Sequence, residues 1–241
     1  MVSHASYRNP HDYDHSHQSV ASGWLRASVF GAMDGLVSNI GLIAGIAAAG
    51  ASQQIVAITG VSGLIAGAIS MALGEWASVK TQNEQLDSEI ETERAALHRN
   101  PRGERAELSA LFTELGMSDD TAKQAAKEIH GDAEQALRVH LTHELGLSVE
   151  DRPSPWVAAI SSLVFFSIGA GIPIIPFLFA FGSLPMGLLF GGAGLLAAGG
   201  IAAVFTRKNW LLGALRQLLF GGLAVVVTYS IGMLLGVSNL G

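Results

Sequence analysis

The chain has 241 residues, of which 49% are hydrophobic, 29 are glycine and only 14% are charged, with a mean hydropathy of +0.39. A soluble domain carries roughly 25% charged residues, and here 25 of the 34 formal charges lie between Lys80 and Arg152. That distribution describes a membrane protein with one polar insert and excludes a disordered chain or a nucleic-acid binder, while the lack of cysteine excludes disulfides, thiolate metal sites and a cysteine nucleophile.

In chain order, residues 1–22 form a polar tail. His11, His15 and His17 stand there among Asp12 and Asp14, a loose metal-prone tract without fixed ligand spacing, more readily read as incidental. The tail lacks the basic start and apolar stretch of a cleavable signal peptide, so insertion is expected to use an internal segment. Five stretches then reach the roughly 20 helical residues that cross a bilayer: Trp24 to Gly50, Gln54 to Val79, Trp156 to Phe181, Pro185 to Phe205, and Trp210 to Val237. Short turns join the first to the second and the third to the fourth, giving two membrane hairpins. The expected architecture is all-α and polytopic, with transmembrane helices 1 and 2 in residues 23–80, a cytosolic acidic helical insert in 81–153 and transmembrane helices 3 to 5 in 154–241.

Gly41 to Gly45 and Gly63 to Gly67 repeat Gly-Leu-Ile-Ala-Gly, a spacing that lets helix backbones approach in lipid. Pro173 and Pro176 are expected to kink or break the third span, as a plain bend or as a gate. Arg8 and Arg26, the nine basic residues from Lys80 to Arg152, and Arg207, Lys208 and Arg216 all fall on one side of a five-span arrangement. The basic excess in cytoplasmic loops therefore places the N-terminus and insert inside and the C-terminus outside.

Within the insert, the second helix runs uninterrupted by glycine or proline from Glu75 to Arg99 and is stopped by Asn100, Pro101 and Gly103. Three further helices are expected at Glu104 to Leu115, Asp119 to His130 and Ala133 to Leu145. Gly116, Gly131 and Gly146 occupy C-terminal cap positions, and Ser118 and Asp132 occupy N-cap positions.

An acid inside a membrane span is a functional hypothesis by default, because a charge at mid-bilayer costs at least about 2.5 kcal/mol on insertion scales. Asp34 stands well inside the first span. Glu75 lies nearer the cytosolic end of the second, as a path residue or an interfacial carboxylate, with Met71 on the same face as packing or as a thioether ligand. In the insert, Glu89 with Glu93, Glu104 with Glu107 and Glu114, and His140 with His143 and Glu144 flank the apolar seams of three helices. These are either solvated faces or mixed carboxylate and imidazole ligands, a set that suits Fe²⁺, Mn²⁺ or Zn²⁺ better than Ca²⁺ or Mg²⁺. No catalytic constellation accompanies them. His140 to Glu144 is not HExxH, the insert holds no ExxH pair for a di-iron centre, and no phosphate-binding glycine loop supports an ATP-driven pump.

Asp34-Gly35-Leu36-Val37-Ser38 in the first helix, Ser70-Met71-Ala72-Leu73-Gly74-Glu75 in the second, Glu144-Leu145-Gly146-Leu147 closing the insert and Pro155-Trp156 opening three more spans resemble the vacuolar iron transporter family. The resemblance runs from about Ser22 to the C-terminus. It implies a homodimeric, five-span exporter of cytosolic Fe²⁺, often also Mn²⁺, coupled to proton entry. It also implies a translocation path through Asp34 and Met71, with Glu75 in the second-helix motif, and metal ligands at Glu93, Glu104, Glu107 and Glu144. The chain departs from the family where Ala96 replaces an expected glutamate and where His140 and Leu141 replace sulfur ligands known in some members. Glu89 and His143 are candidates to compensate. The expected reading is a transporter and not an enzyme, without a bound cofactor, taking Fe²⁺ or Mn²⁺, with Zn²⁺ and Co²⁺ as alternatives. Its partners are the lipid bilayer, protons and a second copy, and its host is a prokaryotic cell membrane or otherwise a vacuolar-type one. Rivals are a membrane-anchored metal sensor that moves nothing and a membrane oxidase built on the acidic cluster.

Overall fold

The computed structural model describes residues 23–143, 152–179 and 182–238, and all regular structure among them is helical. The order is α1 (Gly23–Ala48), α2 (Gln53–Arg99), α3 (Pro101–Glu114), α4 (Asp119–Ile129), α5 (Ala133–His143), α6 (Pro155–Gly171), a 3₁₀ turn (Ile172–Ile174), α7 (Ile175–Leu178), α8 (Leu184–Phe205) and α9 (Trp210–Ser238). Five helical stretches are long and apolar enough to cross a membrane: α1, α2, the α6–α7 stretch, α8 and α9.

The first hairpin turns at Gly50, whose φ of 86° is open to glycine and strained for other residues. Ser52 then caps α2, its hydroxyl accepting from the Ile55 N–H at 3.4 Å. The third span does not run unbroken to Phe181. Pro173 and Pro176 have no N–H for an i to i−4 bond, so α6 ends at Gly171 and the chain passes through the 3₁₀ turn into the single turn of α7.

α1 is the hub of the membrane half, packed by α2, α6, α8 and α9. Its contact with α6 is backbone to backbone: a Cβ on Gly35 would overlap the Phe166 carbonyl, and one on Gly169 would overlap the Ala32 carbonyl. The two Gly-Leu-Ile-Ala-Gly repeats face different neighbours. Gly41 and Gly45 meet Thr228 of α9, whereas Gly63 meets Leu42 of α1 and Gly67 meets the Phe166 ring of α6.

α2 continues beyond its apolar stretch for 47 residues in all and carries the insert on its far end. Asn100 ends α2 and also starts α3, its side chain accepting from the Gly103 N–H at 3.1 Å with Pro101 in the first helical turn. α3 thus starts three residues before the expected Glu104, because proline is tolerated at that first turn. α3 packs on α4 through Leu108, Phe112, Ala122 and Ala126. The Ser118 hydroxyl accepts from the Thr121 N–H, and Asp132 Oδ1 accepts from the Glu134 and Gln135 N–H groups at 2.9 and 3.1 Å, as N-caps should. Gly116 takes the expected left-handed conformation, with φ of 99°. Gly131 does not, because the chain turns directly into α5 through Gly131 N–H to Glu128 and Asp132 N–H to Ile129. Gly146 and the end expected for the last insert helix lie outside the described residues. Two contacts return the chain to α2 before α6 begins: Arg152 pairs with Asp87 at 2.7 Å, and the Asn83 amide donates to the Pro153 carbonyl at 3.1 Å.

Candidate metal site and membrane acids

One face of α2 organises both sets of acids. Eighteen residues, about five turns, separate Glu75 from Glu93, so their side chains leave the same side of the helix about 27 Å apart along its axis. Both are buried, at 8% exposure each. A buried carboxylate needs a cation or several donors beside it, and the two meet that need differently.

Glu93 meets it at the insert. His140 of α5 is fully buried and brings its Nδ1 to 3.3 Å from Glu93 Oε1. Glu104, from the first turn of α3, completes a group in which one donor atom of each residue lies within 4.8 Å of the others. Donors about 2.1 Å from a tetrahedral ion stand about 3.4 Å apart, so the Glu93 to His140 spacing already fits a shared metal. Three helices supply these donors because α3 leaves α2 at Asn100 and α5 folds back onto the end of α2.

The remaining insert candidates are placed less centrally. Glu107 is exposed one turn along α3 from Glu104, Glu89 is half-buried one turn before Glu93, and His143 is exposed at the end of α5. Glu144 lies outside the described residues, as do His11, His15 and His17.

Beside the site sits His130, at the C-terminal end of α4. Its Nδ1 is 2.8 Å from the Ala126 carbonyl, and its ring meets His140 edge-on, with centroids 5.3 Å apart and planes at 87°. Burial pushes its pKa below the usual 6.5, with smaller downward contributions from His140 and Arg105. The Ala126 carbonyl and Glu104 oppose the shift.

Glu75 meets its need in the membrane half, where Arg26 of α1 donates from Nη2 to Oε2 at 2.9 Å. Asp34 lies about 12 Å further along α1 than Arg26, half-buried, and accepts from the Ser38 hydroxyl at 2.8 Å. Met71, one turn from Glu75, packs against the cluster of Ala68, Phe166 and Ala170. Phe166 thus lies against α1 at Gly35 through its carbonyl and against α2 at Gly67 through its ring.

The profile of the VIT family matches residues 25–233. The chain belongs to the VIT family. It is 36% identical over 226 residues to a vacuolar iron transporter of Acanthamoeba castellanii, a match covering 91% of this chain and 81% of the relative. It is 30% identical over 219 residues to vacuolar iron transporter homolog 3 of Arabidopsis thaliana, covering 88% and 84%. With vacuolar iron transporter homolog 1 of Oryza sativa subsp. japonica it shares 28% identity over 242 residues, covering 98% and 84%. The VIT family is a family of transporters and not of enzymes, in keeping with a sequence that offers no catalytic constellation.

Sequence reasoning missed three residues of this VIT-family chain. In the sequence Arg26 stands out only as an orientation signal, because its partner lies 49 residues away on another helix. Asn39 is buried in α1 and donates to the Ala170 carbonyl of α6 at 2.6 Å and the Gly60 carbonyl of α2 at 3.3 Å, tying three helices together. A polar amide within a membrane span was the available signal. His130 had been read only as a helix end, and its ten-residue spacing from His140 matches no ligand motif.

Proposed function

We propose that this protein is a homodimeric antiporter that moves Fe²⁺, and also Mn²⁺, out of the cytosol in exchange for protons. The observation that carries the reading is the convergence of Glu104 and His140 on Glu93, which belongs to the same helix α2 that holds Met71 and Glu75. Carboxylates and one imidazole form a site from which a divalent ion can leave, as transport requires and thiolate sites resist. The names of the relatives support iron as the cargo.

In this reading the N-terminus and insert face the cytosol, and the insert captures the ion. The ion then enters the membrane past Glu75, where it displaces the Arg26 guanidinium, and reaches Asp34. A divalent cation and a proton compete for one carboxylate, so alternating occupancy of Asp34 couples their movements. Met71 adds a soft contact that favours Fe²⁺ over Mg²⁺, which is hard and sheds water reluctantly. The proposed path runs where two protomers meet.

The test is flux in proteoliposomes loaded with metal-sensitive and pH-sensitive dyes, across Fe²⁺, Mn²⁺, Zn²⁺ and Co²⁺, with and without a pH gradient. Fe²⁺ and Mn²⁺ should cross and should move protons the other way. Metal that binds without crossing would make the protein a membrane-anchored sensor instead.

A further inference from the structure

We infer that His130 is a metal ligand, the second imidazole of the insert site, and that it tilts the site toward nitrogen-preferring ions. This rests on the reading of Glu93, Glu104 and His140 as a metal site and goes beyond it in donor set and selectivity.

The tautomer comes first. A carbonyl accepts and cannot donate, so the contact between His130 Nδ1 and the Ala126 oxygen puts a proton on Nδ1, and in the neutral ring that leaves Nε2 with a bare lone pair. That Nε2 is buried and has no hydrogen-bond partner among the described residues. An N–H held by a backbone carbonyl, with the other nitrogen left as a donor of electrons, is how a histidine ligand is usually oriented. A histidine that only filled space against His140 would serve better as an apolar ring, which leaves no buried acceptor in want of a donor.

Geometry supplies the second link. An imidazole nitrogen about 2.1 Å from a metal puts its ring centroid about 3.2 Å away, so two imidazoles on one tetrahedral ion have centroids about 5.2 Å apart. The His130 and His140 centroids are 5.3 Å apart. Glu93, Glu104 and His140 provide three donors, and a four-coordinate ion needs one more. The His130 nitrogens lie outside that group of mutually close donors, so ligation requires the end of α4 to move toward His140. Two carboxylates with two imidazoles favour Zn²⁺, Co²⁺ and Fe²⁺ over Mn²⁺, the weakest binder of the divalent series.

The experiment is a Co²⁺ titration of the full-length protein in detergent, followed by visible absorption. Wild type should give the intense band of four-coordinate Co²⁺, and Glu93→Gln should lose it. His130→Asn keeps an N–H for the Ala126 carbonyl and removes the Nε2 ligand. It should weaken Co²⁺ binding roughly tenfold or more, flatten the band and lower the preference for Zn²⁺ over Mn²⁺ in competition. His130→Cys should add a near-ultraviolet thiolate-to-cobalt band, clean in a chain without cysteine, which a merely packed residue would not produce. An unchanged spectrum in His130→Asn with no thiolate band in His130→Cys would overturn the inference while leaving the three-donor site standing. No Co²⁺ binding by wild type would overturn both.

Discussion

The membrane half and the insert are both helical, yet opposite features hold them. Where α1 meets α6, Gly35 and Gly169 bring backbone against backbone, because between apolar helices in lipid only close packing is left to gain. The insert uses the ordinary means of a small soluble domain: an apolar seam of Leu108, Phe112, Ala122 and Ala126, and capped helix ends at Asn100, Ser118 and Asp132. Charge is handled differently too. Glu75 is paired with a cation of the protein itself, whereas Glu93 stands with an imidazole and another carboxylate.

The sharpest way to separate the two regions is Asp34→Asn, which keeps the size and removes the charge. Metal-driven proton movement in proteoliposomes should fall to background while Co²⁺ binding at the insert stays at the wild-type level. Retained antiport would remove Asp34 from the mechanism. Next in size, Gly169→Val drives a branched side chain into the Ala32 carbonyl and should cost about 3 kcal/mol, at the upper end of overpacking, seen as a lowered Tm in detergent. Glu93→Gln should do the reverse of Asp34→Asn. Metal binding at the insert should weaken roughly tenfold, about 1.4 kcal/mol, with flux at saturating metal little changed. Asp132→Ala deletes the cap of α5 and should cost about 1 kcal/mol, loosening the insert in hydrogen exchange without disturbing the membrane helices. Smallest and opposite in sign is Gly222→Ala in α9, where an added Cβ meets nothing within 4 Å. Better helix propensity alone should stabilise by about 0.5–1 kcal/mol.

These contrasts also explain what could be read before any coordinates. The spans follow from apolar length, and Asn100-Pro101, Ser118, Gly116 and Asp132 mark helix ends by chemistry confined to a few neighbouring residues. The gathering of Glu93, Glu104 and His140 was legible as well, since each flanks an apolar seam and seams pack together. Pairings that depend on the rotation and register of separate helices were not. Arg26 reaches Glu75 because of how α1 is seated against α2, and Asn39 finds the Gly60 and Ala170 carbonyls for the same reason. Gly131 shows a smaller limit: a glycine after a helix permits a left-handed turn without compelling one. His130 gained its place only when α4 was folded against α5.

The unbroken length of α2 has a mechanical consequence. Glu75 and Glu93 sit on one shaft, and at ~1.5 Å per residue the portion between them is a lever arm of about 27 Å. If the shaft pivots about Glu75 by roughly ten degrees, Glu93 and the insert carried with it sweep an arc of about 5 Å. A tilt too small to disturb the packing around Glu75 is thus amplified into a displacement of the whole insert.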